Sequence, residues 1–219
     1  MKSLKFTKTE TQLFVERFLS QDDLHGMSQT ISSAYSAVNN LYRMTPALGA
    51  FIVGSDIRPH LIRITVEHLL QRFADTNVGF THEVRPNIAK NCNHLRLYKN
   101  GLALTSNYMG ANCERPRARR ALHKANLSER NMDLFEFENN DINLIQDARY
   151  AEIMHGGITK PINILINIPS RDQLGTIGSI AIAIFEENKT LVEQIADEPP
   201  FKIKNIIEEL KNGNQKKTG

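Results

Sequence analysis

Residues 94–106 read HLRLYKNGLALTS, two alternating runs on either side of Asn100-Gly101. Asn-Gly supplies the positive φ values that a two-residue hairpin turn needs, because neither residue is penalised heavily in the left-handed region. Such a turn pairs Lys99 with Leu102, Leu97 with Leu104 and Arg96 with Thr105. Leu95, Leu97, Leu102 and Leu104 then share one face, and His94, Arg96, Tyr98 and Thr105 share the other. The hairpin fixes the fold class, because the chain before it carries a helical period and most of the chain after it carries a period of two.

Upstream, Thr9 and Gln12 fit a capping box ahead of Leu13, Phe14, Phe18 and Leu19. Leu24, Met27, Ile31, Ala34, Tyr35, Val38, Leu41 and Tyr42 then recur at the spacing of one helical face. Pro46 ends that helix, and 46–54 reads as a small apolar connector. Asp56 is placed to cap a third helix with Pro59 in its first turn and Leu61, Ile62, Val66, Leu69, Leu70 and Phe73 inward. After Asn77-Val78-Gly79 the period changes to two.

Downstream, a short helix is expected over 115–127, followed by strands over 132–137, 147–155 and 162–168. The run 180–185, apolar on both faces, is expected to be a central strand. Short loops imply antiparallel pairing rather than βαβ units. The expectation is an α+β protein: N-terminal helices (1–76), then a mostly antiparallel sheet (77–188) interrupted by a short basic helix. A C-terminal helix (203–211) and a disordered tail (212–219) complete it, with 1–211 forming a single domain.

Composition narrows the class. Apolar residues make up 41% of the 219-residue chain and charged residues 23%, enough for a real core. No run approaches the 18 apolar residues of a membrane span, and the start lacks an apolar signal region, so a cytoplasmic protein without a membrane partner is expected. Cys92 and Cys113 are the only cysteines, so no disulfide framework is expected. With His94 and His123 they lack the paired spacing of zinc ligands, and buried free thiols are the better reading. His155, ahead of Gly156-Gly157, is a candidate general base at a strand end. The glycine-rich phosphate-binding motifs and GxSxG are absent.

Charge is the strongest functional signal. Residues 85–130 hold ten Lys/Arg against two acids, a local net of +8 in a chain of net +3. Arg117, Arg120 and Lys124 share one helical face, with Arg115 and Arg119 beside them. Such crowding costs a few tenths of a kcal/mol per like-charged i,i+4 pair unless an anion compensates it. The hairpin adds Arg96 and Tyr98, a cation beside an aromatic ring that can stack on a base. These residues point to nucleic-acid binding, DNA above all, through phosphates. Against this stands the segment 131–187, with nine acids and three bases, which can pair with the basic face intramolecularly.

One stretch carries a resemblance. Residues 149–189 hold a strand, Pro169-Ser170-Arg171-Asp172, a second apolar strand and Glu187-Asn188-Lys189. This resembles the PD-(D/E)xK nuclease pattern, although Asp172 follows Ser-Arg rather than Pro and Glu187 lies past its strand. The resemblance implies Asp172 and Glu187 as ligands of Mg²⁺, Lys189 as the cation that positions the attacking water, and Glu152 as an auxiliary carboxylate. The metal would activate that water beside the scissile phosphate. Arg117 and His123 also fit the Arg-x5-His spacing of HEPN ribonucleases, an all-helical family. The competing class is a non-catalytic interaction or regulatory protein of phage, plasmid or defence-system type, whose long helices form a homodimer or whose basic face docks an acidic protein. Sequence alone leaves open whether the chain is an enzyme.

Overall fold

A computed structural model describes residues 7–50, 52–86, 93–110, 149–169 and 176–182. The chain divides into two compact units, Met1–Phe185 and Glu186–Gly219, and every described residue belongs to the first. Helices α1 (Lys8–Glu16), α2 (Gln21–Met44), α3 (Pro46–Ala50) and α4 (Ile52–Thr76) come first. Strands β1 (Thr81–Pro86), β2 (Asn93–Lys99), β3 (Leu102–Tyr108), β4 (Arg149–Gly156), β5 (Asn163–Pro169) and β6 (Thr176–Ile182) come after them. The fold is therefore α+β, with the helices ahead of the sheet.

Among the described residues the strands lie in sequence order in one six-stranded sheet. All pairs are antiparallel except β3–β4, which run parallel and bracket residues 109–148. The Asn-Gly turn forms as expected, with Asn100 at φ 50° and Gly101 at φ 83°, and Leu97 faces Leu104. The expected strand over 162–168 forms as β5 and pairs with β4 from Glu152↔Asn167 to Gly156↔Asn163.

The core lies between the helices and one face of this sheet. Met27, Ile31, Ala34, Tyr35 and Val38 of α2, with Ile62, Val66 and Leu70 of α4, are buried in one cluster with Leu95, Leu97, Leu102, Leu104, Ala151, Ile153, Ile164, Ile166 and Ile182. Each buried Leu or Ile side chain contributes roughly 1.5–3 kcal/mol, so this cluster dominates stability. Gly26 allows the close approach of α2 and α4, since a Cβ there would lie 2.6 Å from the Phe73 ring.

Several elements differ from the sequence reading, each for a local reason. The α1 capping box uses Thr7 and Glu10 instead of Thr9 and Gln12, because the Glu10 carboxylate accepts from the Thr7 backbone N–H at 2.6 Å. A second box, Ser20 with Asp23, starts α2. Helix α4 begins at Ile52, so Pro59 lies inside it and contributes no N–H to the ladder. Strand β1 was not foreseen. The apolar run at 180–185 was expected at the sheet centre; its residues 183–185 lie outside the described residues, and among the described strands β6 is last in the order, with Ser179 and Ala181 exposed. The expected helices over 115–127 and 203–211 and the strand over 132–137 lie outside the described residues. No helix among the described residues is long and apolar enough to cross a membrane.

Candidate functional site

The hairpin tip is clamped to the helices. Lys99 shares the core face with Leu95 and Leu97, and there its Nζ donates to the Asp23 carboxylate at 2.6 Å and stands 4.5 Å over the Phe80 ring. Burial pushes the Asp23 carboxyl up. Hydrogen bonds from Lys99 and Ser20, with the Lys99 charge, outweigh that and hold it below its ordinary range. The Asn100 side-chain amide donates to the Phe18 carbonyl at 2.9 Å. A cation of the basic window is thus committed to holding the hairpin against the start of α2.

The opposite face of β1 and β2 is organised by Glu83, which sits directly across from Arg96 in the antiparallel register. Its Oε2 accepts from Arg85 Nε at 2.8 Å, and its Oε1 accepts from Arg96 Nη1 at 3.2 Å and from the Tyr98 hydroxyl. Burial raises the Glu83 pKa. The hydrogen bonds from Tyr98 and Arg85, with the charges of Arg85 and Arg96, more than reverse it and keep the group ionised below the usual carboxylate range. Burial and the bond to Glu83 push the Tyr98 phenol up. Two guanidiniums therefore share one carboxylate, and the cluster keeps a net positive charge. The Arg85 side chain is 60% exposed and that of Arg96 is 14% exposed.

Further across the same face the side chains are buried and polar. Ala103 packs with Tyr98 and Tyr150, and Thr105, Tyr150, Glu152 and Asn167 form a chain of hydrogen bonds. The direction of that chain follows from its chemistry. Tyr150 donates to Glu152 Oε1 at 3.1 Å, and with its proton so used its oxygen accepts from the Thr105 hydroxyl at 2.8 Å. Asn167 donates to the other carboxylate oxygen at 3.1 Å. The parallel seam creates this alignment, since Thr105↔Glu152 and Ala103↔Tyr150 are neighbours across it.

On the core face, His155 is fully buried between α2 and β3. Its Nδ1 lies 3.0 Å from the Tyr35 hydroxyl and its Nε2 lies 3.2 Å from Ser106 Oγ, with the Tyr35 and Tyr108 rings against it. Burial lowers its pKa to about 4, so the imidazole is neutral at pH 7. Both nitrogens are committed to neighbours, which suits a structural crosslink between α2 and the sheet better than a general base.

Of the residues singled out from sequence, the structure brings Arg96, Tyr98 and Glu152 onto one face of the sheet. Arg115, Arg117, Arg119, Arg120 and Lys124 lie outside the described residues, as do Asp172, Glu187 and Lys189. Among the described residues no cluster of three or more His, Cys, Asp or Glu is placed to hold a metal ion. Glu83 was missed by sequence reasoning, although the Thr81–Arg85 alternation ahead of the hairpin carried its signal. Tyr150 follows from Glu152 by strand alternation, and Asn167 once the β4–β5 register is known. No family model, no curated protein and no solved structure shows a significant match to this chain.

Proposed function

We propose that the protein binds nucleic acid, double-stranded DNA first, through phosphate contacts from the basic hairpin and the segment 115–127. The observation that carries this reading is the charge distribution. Ten cations stand against two acids in residues 85–130. On the described part of that surface Arg85 and Arg96 share only Glu83. A phosphate approaching this face meets two guanidiniums and one carboxylate, while Arg115, Arg117, Arg119, Arg120 and Lys124 supply the remaining charge. Binding of this kind releases counterions, so log K falls with log salt at a slope of about −0.9 per phosphate neutralised.

The test is fluorescence anisotropy on a labelled duplex between 50 and 200 mM salt (roughly the range over which such binding collapses). Binding with a steep salt slope that Arg117→Glu with Arg120→Glu abolishes is the expected result. Unchanged affinity in the double variant at low salt refutes the reading.

A catalytic extension assigns Mg²⁺ to Asp172 and Glu187, the water-positioning role to Lys189 and an auxiliary role to Glu152. In the described part Glu152 accepts from Tyr150 and Asn167 and shares its sheet face with Arg96, which suits a group that holds other groups in place. Supercoiled plasmid that stays intact in Mg²⁺ or Mn²⁺ counts against this extension while leaving DNA binding untouched. The competing reading, a homodimerising interaction protein, draws on the long N-terminal helices. Most of the α2 stripe is buried in the core, leaving Leu13 and Met44 among the exposed large apolar side chains of that region.

A further inference from the structure

Where α2, α4 and the turn after β4 meet, Arg58 holds three elements together. Its Nε donates to the Ile158 carbonyl at 3.1 Å, its Nη2 donates to Asn39 Oδ1, and its guanidinium stacks 4.5 Å over the Tyr42 ring. Asn39 in turn donates to the Thr159 carbonyl. All the acceptors are neutral, and among the described residues no carboxylate lies within ion-pair distance of Arg58. A guanidinium held in one rotamer without a counter-charge has its ordering cost already met before an anion arrives.

Beside it is a cavity of about 340 Å³, lined among others by Tyr42, Ile62, Tyr108 and Ile158, with Ser55 and Arg58 as its polar side chains. The two aromatic walls are themselves anchored: the Tyr42 hydroxyl donates to the Gly54 carbonyl, and that of Tyr108 donates to the Gly157 carbonyl at 2.7 Å. Mostly apolar walls with a few polar groups, here Arg58 and Ser55, are the marks of a small-molecule site, and the volume lies at the lower end of the range of roughly 300–1,000 Å³. That is room for one ring system or a short acyl chain.

We propose that this cleft binds a small organic anion, with its apolar body between the tyrosines and its carboxylate or phosphate head on Arg58. Arg58 presents its remaining N–H groups and its charge to that head, and the apolar walls take up the body of the ligand. The site lies on the helix-facing side of the sheet, away from the Glu83 cluster, and does not depend on DNA binding.

The test is calorimetric titration of the full chain with 2-naphthoate, 2-naphthyl phosphate and the neutral 2-naphthamide. The structure predicts saturable one-to-one binding of at least one anion, at least tenfold tighter than the amide. The tighter of the two anions identifies the head group. Arg58→Met keeps the apolar stem and removes the charge, and it should weaken anion binding at least tenfold while leaving the amide unchanged. Because Arg58 also ties elements together, Ile158→Asp serves as a second variant. It places a negative charge at an exposed position of the wall and should weaken the anion to a similar degree without removing a hydrogen bond. Absence of anion binding at millimolar concentration overturns the proposal. So does equal affinity for anion and amide, or wild-type affinity in Ile158→Asp.

Discussion

Acidification should weaken this protein through one residue before its carboxylates titrate, and the size of the effect can be worked from the burial of His155. In the folded state the imidazole is neutral down to about pH 4, because burial penalises the charged form and no opposite charge offsets it. In the unfolded chain it protonates near its ordinary value of 6.5. The group therefore takes nothing from stability above pH 6.5. As pH falls below 6.5 the unfolded state gains a proton that the folded state refuses, and stability drops until the folded imidazole also protonates near 4. At about 1.4 kcal/mol per pH unit the full interval costs about 3 kcal/mol, and at pH 5 about 2 kcal/mol is already lost. That is a large part of a typical domain's 5–15 kcal/mol. The assay is urea unfolding at pH steps from 7.5 to 4, run on the wild type and on His155→Phe. The phenylalanine variant loses the bonds to Tyr35 and Ser106 and starts less stable, but it cannot titrate at this position. The carboxylates titrate alike in both proteins, so the difference between the two curves isolates His155. The stability gap should close by about 3 kcal/mol from pH 7 to pH 4. Curves that stay parallel within about 1 kcal/mol would show that His155 is not desolvated and refute the reasoning.

Two further perturbations probe other parts of the molecule. Gly157 has φ 127°, and a Cβ there would stand 2.1 Å from the Lys160 carbonyl oxygen, so Gly157→Ala forces backbone to move and should cost about 2 kcal/mol or more in urea unfolding. Glu83→Gln removes the one carboxylate between Arg85 and Arg96. If this face contacts DNA, affinity rises and the salt slope steepens by about 0.9; an unchanged slope places the phosphate contacts elsewhere.

The hairpin was legible because turn chemistry is local. Asn100 tolerates a positive φ through its short polar side chain and Gly101 through having no Cβ, and the alternation around them then dictates both faces. The helical stripe of α2 was legible for the same reason. The parallel partnership of β3 and β4 was not, since no local pattern distinguishes a strand that pairs with its neighbour from one that pairs across residues 109–148. The place of β6 at the end of the described strands was not legible, because two apolar faces look alike whether a strand is central or lies against other cover. The same applies to the site. Arg96 and Tyr98 could be placed on one face from their spacing, but their common partner Glu83 lies on another strand, and only the register brings it opposite Arg96. Glu152 was picked out for metal chemistry, while its bond to Asn167 and the Thr105 bond to its neighbour Tyr150 depend on pairings across two strand boundaries.

The β3–β4 seam also bears on how the chain acquires its structure. Strands β1–β3 and β4–β6 each pair with sequence neighbours, so each half can zip up on the microsecond scale of hairpin formation. Joining the halves brings together residues separated by the whole 109–148 span, and such non-local pairing slows folding. The entropy of closing a flexible span grows only with the logarithm of its length, so doubling it costs about 0.6 kcal/mol, roughly a threefold slower step. Until that step is complete, β3 and β4 each present an open row of backbone donors and acceptors. In the nascent chain, those two edges are where pairing with a second molecule competes with folding.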